Sequence, residues 1–334
     1  MPKSIYPLTF TPVFRNYLWG GRSLEKLGRT LPPGIVAESW EISGHLSSPT
    51  QVECGPLADK TLPEVLDRLG QDLVGWRSQA MLARGKFPLL IKLLDANQPL
   101  SVQVHPDDEY ANTHEQGELG KTEMWYILQA EPGAELIYGL KAGVTRDSFR
   151  HALAAGQLEA CLHRLPVKAG DAVFIPAGSI HAIMQGIVLA EIQQNSDTTY
   201  RVFDWNRVDA NDQPRPLHLD KAFEVINFQQ VEPAPAQPWL IQERDELRRE
   251  FLVSCPYFNV ERVTFKEAQA LYRGHTDGST FEIWGILSGQ GRLTWADDSL
   301  ALEAIRFSLL PAALGDFAIE ALEPAIFLRA YVPE

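Results

Sequence analysis

Gln103-Val104-His105 is the densest piece of chemistry in the chain. It ends the alternating run Leu100-Ser101-Val102-Gln103-Val104-His105, which Pro106 closes. On a strand, residues two apart share a face, so Ser101, Gln103 and His105 line one side while Val102 and Val104 pack on the other. Three polar groups on one face in an apolar neighbourhood need partners, and a metal is one way to supply them. A lone histidine there reads more simply as a satisfied core residue. Glu123 follows on the next strand, however, and His181 stands at the end of Pro176-Ala177-Gly178-Ser179-Ile180-His181. Two imidazoles and a carboxylate, with Gln103 beside them, make an N/O site that suits Zn²⁺ and also accepts Mn²⁺, Fe²⁺ or Co²⁺. No all-cysteine cage exists to make it a structural zinc site, so an open, catalytic position is expected.

The elements around these residues read as short strands. Leu89 to Leu94 is a buried-strand run; further β-rich runs lie at 123–128, 135–138, 172–175 and 187–192, separated by Gly- and Pro-bearing turns. Such punctuation implies a sandwich or barrel rather than alternating strands and helices. Thr61-Leu62-Pro63-Glu64 starts a helix that continues to about Gly75, within a helical insertion at about 55–85. Residues 145–164 form a second helical insertion. Val231 to Pro238 carries three prolines and reads as a stiff linker, 231–240, between a first domain over 1–230 and a second over 241–334.

The second segment looks like a faded copy of the first. Phe281-Glu282-Ile283-Trp284 resembles Thr122-Glu123-Met124-Trp125, and Leu310-Pro311-Ala312 resembles Ile175-Pro176-Ala177. Glu282 survives in the copy, but Asp316 stands where a ligand histidine would be and no Gln-x-His precedes it. The second domain is expected to hold no metal.

Composition bounds the rest. With 30 Lys+Arg against 43 Asp+Glu, the formal charge is −13, which argues against nucleic acid and anionic membrane as partners. An anionic substrate would need positive charge concentrated locally. Cys54, Cys161 and Cys255 are sparse and unpaired in sequence, which suits a reducing compartment. No window approaches the ~20 apolar residues of a spanning helix, and the first residues lack a signal-peptide pattern. A cytoplasmic protein is expected.

The order His, Glu, then Pro-x-Gly-x-x-His resembles the cupin pattern, which implies a mainly β fold of two jelly-roll sandwich domains with a few covering helices. Pro88–Ala96, Leu100–Asp108, Gly120–Tyr126 and Gln194–Arg201 further resemble the type I mannose-6-phosphate isomerase family in its shorter bacterial form. That resemblance implies a zinc-dependent isomerase acting on a sugar phosphate, with one Zn²⁺ per chain on Gln103, His105, Glu123 and His181. It places a catalytic arginine at Arg201 and a pocket lysine at Lys121. Longer relatives carry a lysine where this chain has Arg207, and Ser101 and Asp197 join it as substrate contacts. Arg201 also reads as an ion-pair partner of Asp197, and the proton carrier is open among Lys121, Asp197 and a water on the metal. A monomer or weak homodimer is expected. A metal-dependent oxygenase and a silent sugar-binding cupin remain the alternatives.

Overall fold

The computed structural model describes residues 5–208 and 212–334; residues 1–4 and 209–211 of the first expected domain lie outside it. Strands dominate and every named strand pairs antiparallel with its neighbours. The first sandwich faces a six-stranded sheet against a five-stranded one. The six-stranded sheet runs in the order Ala172–Ile175, Glu123–Ala130, Ile187–Gln194, Leu89–Ala96, Glu38–Ser43, Val13–Arg15. The five-stranded sheet runs Tyr200–Phe203, Val102–Val104, His181–Ile183, Glu135–Leu140, Leu162–Pro166. Trp125, Ile127 and Leu189 from the first sheet meet Leu136, Tyr138 and Ile183 from the second in one buried cluster. This is the interdigitation that holds two sheets face to face.

The second sandwich pairs an eight-stranded sheet with the four-stranded set Leu271–Thr276, Gly315–Ala321, Gly291–Trp295, Asp298–Leu302. Its larger sheet takes in a strand from the other end of the chain. Leu8–Thr11 pairs with Phe307–Leu310, Leu8 lying opposite Leu309, and Gln51–Val52 completes that edge. At the opposite edge Trp239–Glu243 pairs with Leu247–Ser254. The boundary expected at 231–240 therefore does not divide the hydrogen bonding. A four-residue strand near the start carries Leu8 and Phe10 on its inner face, and nothing local says which sheet receives them.

The repeat shows in the register. Glu123 lies opposite Ile175 in the first sandwich as Glu282 lies opposite Leu310 in the second. Trp125 faces Glu191, and Glu191 faces Lys92. In the copy Trp284 faces Arg329, and Arg329 faces Glu261. The charges have changed places. Arg329 bonds Glu282 at 2.5 and 2.9 Å and Glu261 at 3.1 Å, so a permanent guanidinium neutralises the carboxylate that survives in the copy. Asp316 is exposed and pairs with His275 at 2.6 Å, far from any ligand role.

Helices cover the sheets. Thr61 caps Leu62–Leu69 in a reciprocal box with Glu64, and Leu62, Val65, Leu66 and Leu69 are buried. The helix breaks at Gly70 instead of continuing to Gly75; a separate turn, Gln71–Val74, follows. The insertion expected to be helical through residue 164 is helical over Arg146–Ala154 and as a 3-10 turn over Leu158–Cys161. Leu162–Pro166 is instead an edge strand on Glu135–Leu140. Sheet pairing overrides the helical spacing there. No helix of the described residues is long and apolar enough to cross a membrane, and the three cysteines are unpaired.

Candidate metal centre and active-site cavity

Val102 and Val104 are fully buried on one face of their strand and Gln103 points to the other. The next strand out places His181 directly opposite Gln103, and the strand on the far side places Arg201 opposite the same residue. Neighbouring strands are ~4.8 Å apart, so these residues form one row across the five-stranded sheet. Glu123 starts a strand of the facing sheet and reaches across the sandwich. Its Oε1 lies 3.4 Å from His181 Nε2 and 3.7 Å from His105 Nε2. The three candidate ligand atoms lie within 4.8 Å of one another, on residues all 1% exposed or less.

The imidazoles are oriented from behind. His105 Nδ1 lies 2.8 Å from the Thr198 carbonyl and His181 Nδ1 lies 3.0 Å from the Ser179 carbonyl. Each carbonyl can only accept, so each Nδ1 carries the proton and each Nε2 presents its lone pair to the centre, the second-shell device common at metal sites. Burial, followed by the Lys121 charge, keeps both rings neutral: His181 is pushed down to about 4 and His105 falls well below its ordinary value. Burial, reinforced by Glu191, pushes Glu123 up to about 7 against the pull of Lys121. Glu123 Oε1 has no hydrogen-bond donor. A buried, unsatisfied carboxylate oxygen between two lone pairs fits a dication and fits little else.

The surrounding charges agree. Lys121 Nζ sits 2.8 Å from Glu123 and 3.7 Å from Glu191, and Lys92 Nζ sits 3.8 Å from Glu191 and 3.9 Å from Glu38. Two cations against three carboxylates leave 2 − 3 = −1, which a divalent ion takes to +1. Burial works against the Lys121 charge, but Glu123 and Glu191 more than offset it and hold the ammonium protonated beyond its ordinary range. Its backbone is fixed too: Lys121 N donates to the Pro106 carbonyl at 2.9 Å, and Gly120 N donates to Asp108 at 2.8 Å. A Cβ at Gly120 would lie 2.4 Å from the Asp107 backbone, so only glycine allows this approach.

A cavity of about 290 Å³ opens above the centre. Of the expected site residues, Ser101, Gln103, Lys121, Asp197 and Arg201 line it, while His105, Glu123 and His181 lie behind its floor. Arg201 and Asp197 do not pair; the guanidinium donates to the Pro216 carbonyl at 2.8 Å, and among the described residues it makes no ion pair. Arg207, expected as a substrate contact, is not on the wall. It bonds Asp204 at 2.5 Å and the Pro99 carbonyl at 2.7 Å, turned away by the loop that carries it. Arg215 takes a place on the wall instead. Sequence reasoning also missed Lys92, Glu191, Glu38, Tyr17 and Trp19. Lys92 and Glu191 were signalled as single charges inside apolar strand runs; Arg215 carried no signal, because only the tertiary structure places it on the cavity wall. His218, read as structural, accepts the Arg201 backbone N–H at 3.1 Å and so braces that strand.

A two-sandwich cupin fold with a buried His–Glu–His group beneath a cation-lined cavity defines the class: an enzyme built around one candidate metal site. The type I phosphomannose isomerase catalytic-domain model matches residues 8–128. Mannose-6-phosphate isomerase ManA of Bacillus subtilis is 38% identical over 315 residues, covering 94% of this chain and 96% of its own. A crystal structure of the B. subtilis mannose 6-phosphate isomerase superposes with a TM-score of 0.86 at 34% identity, covering 97% and 99% of the two chains. A mannose 6-phosphate isomerase bound with zinc and yttrium shares the fold, at a TM-score of 0.73 and 15% identity. The chain belongs to the type I mannose-6-phosphate isomerase family and is an isomerase.

Proposed function

We propose that the chain interconverts mannose 6-phosphate and fructose 6-phosphate through a cis-enediolate, with one Zn²⁺ held by His105, Glu123, His181 and Gln103. The observation that carries this reading is the donorless Glu123 Oε1 between two Nε2 lone pairs, at the base of a cavity walled by Arg201 and Lys121. Gln103 Nε2 lies 3.3 Å from His181 Nε2, and turning the amide over brings its oxygen to the same point. A zinc ion supplies a Lewis acid for the oxygens flanking the reacting carbons.

The protein's own groups account for the rest. Arg201 lies across from Gln103 and puts a fixed positive charge beside the oxygen on which negative charge develops. Lys121, clamped between two carboxylates, enters as a cation that holds a substrate oxygen and does not serve as the base. Glu191 and Glu38 are occupied, the first by Trp125 at 2.9 Å and the second by Trp40 at 2.7 Å. Asp197 is the wall carboxylate without an ion pair among the described residues, and it is the group left to carry the proton between the two carbons. A coupled assay on zinc-loaded protein tests the function. Turnover of mannose 6-phosphate, lost on chelation and restored by Zn²⁺, is expected; absence of turnover, or oxygen uptake with iron, would overturn it.

A further inference from the structure

Beside Arg201, the cavity wall carries a second arginine, Arg215, to which the isomerisation chemistry gives no role. Arg215 bonds Asp204 in a two-point fork, Nε to Oδ2 at 2.7 Å and Nη2 to Oδ1 at 2.6 Å. The same carboxylate takes Arg207 at 2.5 Å. Arg201 stands close enough to feel both neighbours: burial, then Arg215, lowers its proton affinity, with Asp204 opposing and Arg207 adding to the effect. Arg207 and Arg215 against Asp204 leave 2 − 1 = +1, with Arg201 adding to the local field and Asp197 on the same wall opposing it. In a chain of net charge −13, a local excess of positive charge on a cavity wall is a place for an anion. A phosphate monoester, which carries about −1.5 to −2 near neutral pH, is an anion that such a site attracts.

Position selects among the three arginines. Arg207 is tied to the Pro99 carbonyl outside the cavity wall. Arg201 belongs to the row that includes Gln103 and His181, beside the metal centre. Arg215 alone is on the cavity wall yet outside that row, and its side chain is 36% exposed, open to an incoming anion. Its Nη1 has no partner among the described residues, so the fork held by Asp204 leaves a donor edge free. Burial would raise the Asp204 proton affinity, but the bonds from Arg215 and Arg207 more than offset it, so the carboxylate stays ionised and the clamp stays closed at working pH.

We propose that Arg215, positioned by Asp204, binds the phosphate group of the substrate and imposes the requirement for a phosphorylated sugar. The assignment rests on the isomerase reading for the identity of that substrate. It differs from the place the family resemblance gives to Arg207. A sugar phosphate carries its phosphate away from its reacting carbons, and Arg215 lines the cavity outside the row that holds Gln103, His181 and Arg201.

The experiment compares zinc-loaded wild type with Arg215→Ala and Arg215→Lys. It measures KM and kcat for mannose 6-phosphate, and the affinity for inorganic phosphate by calorimetry. A charge-assisted, two-point contact contributes enough that its loss should weaken binding about 10- to 100-fold. For Arg215→Ala both KM and the phosphate dissociation constant should rise by that factor, with kcat changing far less. Arg215→Lys should fall between, because it keeps the charge and loses the fork. Values within twofold of wild type for both quantities, or a fall in kcat at unchanged KM, overturn the assignment. Phosphate affinity is read without turnover, so a wild type that binds phosphate through Arg215 but does not isomerise would sink the isomerase reading alone.

Discussion

Replacing Arg201 by alanine separates catalysis from folding more cleanly than any other change. The guanidinium is half-buried, donates once to the Pro216 carbonyl, and leaves Nε without a partner. Removing it loses one hydrogen bond, about 0.5–1.5 kcal/mol. It also relieves repulsion from Arg215 and Arg207, offset by the lost attraction to Asp204. Unfolding free energy should therefore move by no more than the hydrogen bond's about 0.5–1.5 kcal/mol, and Tm by only a few degrees. Transition-state stabilisation has no such offset. A fixed donor facing a developing oxyanion is worth roughly 2.7–4 kcal/mol, so kcat should fall about 10²- to 10³-fold. The measurements are kcat in the coupled assay, zinc content by elemental analysis, and denaturant unfolding. A variant with full zinc, unchanged stability and kcat within tenfold of wild type would refute the role given to Arg201.

Three further outcomes are expected. Zn²⁺ binding to chelator-stripped protein should release about half a proton at pH 7, nearly one at pH 6 and little at pH 8. This follows because Glu123 sits at about 7 while both imidazoles are already neutral. In metal-free protein the raised Glu123 value favours folding at low pH, but the two depressed imidazoles act the other way and outnumber it, so stability should rise as pH goes from about 4.5 to near 7. Calorimetry in buffers of different ionisation enthalpy reads the first effect, thermal melts the second. Arg329→Met leaves the buried Glu282 carboxylate without its ion-pair partner, while Glu261 keeps Arg249 at 2.8 Å; it should cost about 3–5 kcal/mol in denaturant unfolding, with KM and kcat of the folded protein preserved. Gly120→Ala forces the chain away from Asp107 and displaces Lys121, so it should lower kcat as well as stability; an unaltered kcat would show that the lysine's position does not matter.

What the sequence determined by itself is local and periodic. The two-residue period around Gln103 puts its polar and apolar residues on opposite faces whatever the rest of the chain does. The Thr61–Glu64 capping box and the turn before His181 are equally near-neighbour matters, and the Glu282–Trp284 echo of Glu123–Trp125 reflects a register that both sandwiches keep. The elements that failed to read were those with weak local preference and distant partners. Leu162–Pro166 had helical spacing but a strand waiting at Glu135–Leu140. Leu8–Thr11 joined a sheet some 300 residues away. Arg207 and Arg215 are indistinguishable as letters. Only the tertiary structure decides that the first bonds Pro99 and the second lines the cavity. The same holds for the charge state of Glu123, which depends on how many cations and water molecules the two facing sheets leave around it, a property of the assembled sandwich and not of any segment.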